Sequence, residues 1–174
     1  MTRSIFGLFW MLAALSLIAC GGGRTGSAVK NPDGSAVAIL CHFDRGITPE
    51  MTPEKQEQVQ QLATWMEDDL LSILNKTGYA ATRVDDPNTP AGPGRYVLHV
   101  TIKNYNAGSK AARMLVGFGA GAAVLDTHFD LVGEGGSSLV SGDPSVGSGR
   151  DWKNSARKVN LQTVDAVNAR LHQK

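Results

Sequence analysis

The sequence predicts an α+β fold. It is a two-layer sandwich in which a mixed four- to five-stranded sheet carries two helices on one face. Three observations point there. An apolar run of strand length, Ala36 to Phe43, is followed by a long amphipathic helix. Two segments, 96–103 and 125–131, alternate apolar with polar side chains at the period of a strand. The chain then closes on a second helical stripe. The order strand–helix–strand–strand–strand–strand–helix suits one sheet with a single helical layer, its first crossover parallel and right-handed.

Ahead of that domain, Ile5 to Ile18 is apolar except for Gly7 and Ser16, with Arg3 in front. This length suits a signal-peptide core and falls short of the roughly 18 residues a helical span needs. Leu17-Ile18-Ala19-Cys20 resembles the lipobox of bacterial lipoproteins, which assigns residues 1–19 to a signal peptide and Cys20 to lipidation. Gly21, not Asp, follows the cysteine, as in cargo sorted to the outer membrane. Residues 20–34 then read as the lipidated cysteine and a flexible tether, and residues 35–174 as a single domain. Several acyl chains on one cysteine satisfy the two-signal requirement for stable anchoring.

Loss of residues 1–19 removes Arg3, one of 17 basic side chains, and brings the remainder level with the 16 acidic ones. A chain near zero net charge lacks the basic field that nucleic acid selects, so no nucleic-acid partner is expected. With Cys20 lipidated, Cys41 has no intrachain partner and reads as a small buried hydrophobe. His42 would face the other side of the strand, so a Cys-His nucleophile pair is not expected.

Each element has its own signal. Thr52-Pro53-Glu54 is a helix start, with a hydroxyl cap, proline at the first position and acid in the first turn. Val59, Leu62, Ala63, Met66, Leu70, Ile73 and Leu74 form its apolar stripe, leaving Gln and Glu on the far side, and Gly78 ends it. Tyr79 to Val84 reads as a short strand, and Asp85 to Gly94, with three prolines, as a loop. Tyr96, Leu98, Val100 and Ile102 form the buried side of the next strand, alternating with Val97, His99, Thr101 and Lys103. Leu125, Thr127, Phe129 and Leu131 do the same against Asp126, His128 and Asp130. Gly135-Gly136 turns the chain back into Ser138 to Ser141, and Gly142 to Gly149 reads as loop. From Asp151, Leu161, Val164, Val167 and Leu171 share a helical stripe.

Four stretches invite a chemical reading. Gly117, Gly119 and Ala122 match G-x-G-x-x-A, but an alternating strand follows where a helix should open, and nucleotide binding is not expected. If extended, Gly117, Gly119 and Gly121 share one face as bare backbone, a surface for another element or another copy. His99, Asp126, His128 and Asp130 are the weak candidates for a metal, weighed against the ordinary polar side of a strand. Ser155 and Lys158 match S-x-x-K without its S-D-N and K-T-G companions. Trp65 and Trp152 read as packing residues. Neither catalytic residues nor a cofactor is expected.

The chain is similar to a family of uncharacterised bacterial lipoproteins known as domain of unknown function 4410. Ala36–Phe43, the segment Arg113 to Gly121 (Arg-Met-Leu-Val-Gly-Phe-Gly-Ala-Gly) and the alternating strand after it carry the likeness. It spans residues 36 to 172. The resemblance implies an envelope location and a compact domain, and transfers no catalytic residue. The expected function is a non-enzymatic, lipid-anchored envelope domain, outer-membrane and facing the periplasm. It would bind or scaffold another envelope protein or further copies of itself. A domain for small molecules or glycans is the alternative, and a metal-dependent enzyme is a weaker one.

Overall fold

The computed structural model describes residues 27–108, 122–148 and 151–173. The described elements are β1 (Ala38–Asp44), α1 (Pro53–Thr77), β2 (Ala80–Arg83), β3 (Arg95–Asn106), β4 (Ala123–Val132), a 3-10 turn (Glu134–Gly136), β5 (Ser138–Gly142), β6 (Ser145–Ser148) and α2 (Trp152–His172). The strands form one sheet in the order β2-β1-β3-β4-β5, with β6 also on β4. Strands β2 and β3 both run parallel to β1. The β3–β4, β4–β5 and β4–β6 pairings are antiparallel. The fold is therefore the expected α+β sandwich on a mixed sheet.

Helix α1 begins where its sequence directs. The Thr52 hydroxyl accepts from the Lys55 N–H at 3.3 Å, with Pro53 at the first position. Gly78 closes the helix at φ 114°, a left-handed conformation in which a side chain would be strained. Its seven predicted stripe residues are all buried. Leu70, Ile73 and Leu74 pack with Val164, Val167 and Leu171 of α2 against Ile39, Cys41, Leu98, Val100, Phe129 and Leu131 of the sheet. Val59, Leu62, Ala63 and Met66 pack with Ala156 and Val159 of α2 against Ile102, Tyr105, Leu125 and Val146. Both helices thus cover one face. They are also tied to each other. The Asn160 amide donates to the Met66 carbonyl at 3.1 Å and to Asp69 at 3.0 Å, and Arg157 meets Asp69 at 2.7 Å.

Three expectations change. Glu67, placed by helical spacing on the solvent side of α1, is 1% exposed. Arg45, just past β1, and Arg83 of β2 reach over to its carboxylate at 3.2 and 2.5 Å, so the burial is that of a paired ion. Residues 145–148, expected in a loop, form β6. Ser-Val-Gly-Ser has no alternation to announce a strand. The free edge of β4 recruits it, pairing β5 with its second half and β6 with its first. Pro144, which has no N–H to donate, interrupts the two, and its carbonyl takes the Thr127 N–H at 3.0 Å. Finally, residues 28 and 29, read as tether, pack on the core, and the Ala28 N–H bonds the Thr77 carbonyl at 3.0 Å.

Candidate functional site

With both described helices on one side, the described residues place no helical layer on the other side of the sheet, and the register lays its side chains out in rows. Leu40, Val97 and Val132 are in register across β1, β3 and β4, an apolar row that leaves Val97 only 1% exposed. Sequence alternation had put Val97 on the solvent side. His42, His99, Asp130 and Ser141 form the next row across four strands. Asp44, Thr101 and His128 form the third. Between Ile102 and Asn104 the register slips, a β-bulge at Lys103 that returns Tyr105 to the buried side. Beyond it Asn104, Asp126 and Ser145 make a fourth row.

The four metal candidates do share this open face, yet each side chain has its own partners. Ser145 donates to Asp126 at 2.5 Å and Asn104 at 3.0 Å, and these bonds hold that carboxyl below the usual carboxylate range. His128 Nδ1 meets Asp143 at 3.0 Å, and Lys103 reaches the same carboxylate at 2.7 Å. Lys103 first, then His128, keeps Asp143 ionised to lower pH than usual. Ser138 donates to Asp130 at 2.5 Å. His99 is engaged from the opposite side, where the His42 ring lies 5.5 Å away, centre to centre, at 64°. Burial, and then the neighbouring His42, lower the His99 pKa, partly opposed by Asp130. Among the described residues no three ligand-type side chains converge on one point.

The other candidates resolve simply. Cys41 is fully buried on the helix side, its thiol pushed up to about 12 by desolvation, while His42 points to the open face. Ser155 is buried in the helical layer and Lys158 is exposed, so S-x-x-K is not assembled into a nucleophile and base. Trp65 and Trp152 meet edge to face at 5.8 Å, with Lys153 lying over both rings at 6.0 and 5.5 Å. Together with Gln61 and Asp68 they line a shallow groove of about 410 Å³. Cys20, Gly117, Gly119 and Gly121 lie outside the described residues. Within the described residues, no helix is long and apolar enough to cross a membrane.

The family model described as a domain of unknown function, DUF4410, matches residues 25–169. Among solved structures the chain is similar to a PelC dodecamer from Paraburkholderia phytofirmans. The identity is 13%, the TM-score 0.53, and the match covers 80% of this chain and 94% of that one. A variant PelC dodecamer from the same organism matches with 16% identity and TM-score 0.51, over 83% and 94% of the two chains. At such identities the likeness is one of fold. No curated protein matches the sequence.

Proposed function

We propose, from the premise that the chain belongs to the DUF4410 family, that it is a lipid-anchored, non-enzymatic domain of the bacterial cell envelope. Its task is protein contact. Cys20 carries the anchor, at the outer membrane and facing the periplasm, and the folded domain scaffolds further copies of itself or another envelope protein. One observation supports the reading: a sheet whose described helices cover a single face, in a fold shared with PelC, which forms dodecamers. The uncovered face offers an apolar row beside polar rows, the mixture that suits a non-obligate protein interface.

The test uses the full chain made in a bacterium and extracted in detergent. Light scattering should give a mass of several protomers, and crosslinking in cells should trap a ladder of copies or one recurrent envelope protein. A monodisperse monomer that crosslinks to nothing overturns the proposal. Intact mass should begin at a diacylglyceryl cysteine at position 20, and an unmodified cysteine there removes the anchor.

A second reading, a domain for a small molecule or glycan, is favoured by the Trp65–Trp152 groove, whose volume is within the range of ligand pockets. A ligand-dependent rise in melting temperature that Trp152→Ala abolishes would favour it over scaffolding.

A further inference from the structure

The register of the sheet brings together two histidines that are far apart in sequence. His42 on β1 and His99 on β3 are direct cross-strand partners, and Asp130 on β4 continues the row. All three are half-buried on the face without helices, open to solvent yet held by strands on either side. We propose that His42 and His99 form a two-imidazole seat for a late first-row divalent cation such as Cu²⁺ or Zn²⁺, with Asp130 as its flanking carboxylate.

Three features support the seat. The first is spacing. Imidazole nitrogens bind such ions at roughly 2.0–2.1 Å, which puts the centres of two rings sharing a tetrahedral ion about 5–6 Å apart. The rings stand 5.5 Å apart. Second, the rings meet at 64° and are not stacked face to face, so rotation about the side-chain bonds can turn both ring edges, where the lone pairs lie, toward a shared ion. Third, the two rings stand on adjacent hydrogen-bonded strands and are paired in register, so the backbone holds both ligand positions side by side. Since no three ligand-type side chains converge among the described residues, the seat is bidentate and completed by water. Asp130, fixed by Ser138 at 2.5 Å, supplies negative potential from the adjoining strand. The seat lies on the same open face as the proposed interface but draws its ligands from one chain, so ion binding per chain and the light-scattering mass report on the two proposals separately.

The experiment is isothermal titration of the full chain, in detergent and without a histidine tag, first with Cu²⁺ and then with Zn²⁺. One ion per chain is expected, Cu²⁺ tighter than Zn²⁺ in the order these metals follow with nitrogen ligands. His42→Ala and His99→Ala should each weaken Cu²⁺ by more than the roughly 10–100-fold lost with outer partners, and Asp130→Asn by about tenfold. His128→Ala, on the same face but bonded to Asp143, and His172→Ala, on α2, should leave the affinity unchanged. Electron paramagnetic resonance of the Cu²⁺ form should show two coupled nitrogens. Melting of each metal-free variant separates loss of the seat from loss of the fold, and His99→Gln replaces any alanine variant that melts early. Binding that survives the double variant His42→Ala, His99→Ala, or tracks His128 or His172 instead, overturns the proposal. So does the lack of saturable Cu²⁺ binding by the folded wild-type chain.

Discussion

Glu67 gives a sharp test of what holds the two layers together. The carboxylate is 1% exposed, whereas the side chains of its partners Arg45 and Arg83 are 27% and 46% exposed. The desolvation cost of this cluster therefore falls almost wholly on the acid. If the arginines are truncated, Glu67 stays buried and uncompensated. If the acid is replaced, the arginines turn to water. The double variant Arg45→Ala, Arg83→Ala should cost about 3–5 kcal/mol, the range for breaking a buried pair from one side. With a urea dependence of about 2 kcal/mol per M, that moves the unfolding midpoint down by about 1.5–2.5 M. Glu67→Met removes the charge and keeps the volume, and should cost less than about 1 kcal/mol or stabilise. Adding Glu67→Met to the double variant should recover most of the loss, a coupling that only a shared buried charge produces. The assay is urea unfolding followed by circular dichroism and tryptophan fluorescence. If Glu67→Met alone is as damaging as the double arginine variant, and combining them rescues nothing, the desolvation argument is wrong.

Other expectations are briefer. Gly46→Ala should be severely destabilising, because Gly46 sits at φ 61° and an added Cβ would lie 2.0 Å from the Ile102 carbonyl oxygen; a melting temperature within about 4 °C of wild type refutes this. Tyr79→Phe should cost about 1–2 kcal/mol in urea unfolding, since the phenol donates a 2.6 Å buried bond to Asn168 that nothing else replaces. Native Cys41 should resist thiol reagents near neutral pH and react stoichiometrically once unfolded, as a buried thiol pushed to about 12 requires. His99, whose folded pKa lies below its unfolded one, binds its proton more readily when unfolded. It should therefore cost stability as pH falls through the unfolded value near 6.5, and His99→Gln should flatten the dependence of the urea midpoint between about pH 7.5 and 5.5.

Much of the fold was legible because the deciding interactions are local. Thr52, Pro53 and Gly78 bound α1 through their own hydroxyl, ring and missing Cβ, and Asp151 caps α2 in the same way, accepting from the Asn154 N–H at 2.9 Å. The stripe from Val59 to Leu74 and the alternation from Leu125 to Leu131 follow from periods that a single element sets. These determined the fold class and which face of each element is buried. They also placed His99, Asp126, His128 and Asp130 on one side of the sheet.

What the chain could not announce depends on its neighbours. Glu67 is buried because the ends of β1 and β2 bring two arginines to it across 22 and 16 residues, which no helical period contains. Residues 145–148 become a strand because β4 has an edge left to pair, not because Ser-Val-Gly-Ser prefers to be one. Val97, 1% exposed, stands between Leu40 and Val132 in a row that only strand register creates. The same register sets His42 beside His99 and gives Asp126, His128 and Asp130 separate partners. Alternation within each strand set which side chains face the open sheet, except past the bulge at Lys103; the pairing of strands, a long-range choice made by backbone hydrogen bonds, decided which of them meet.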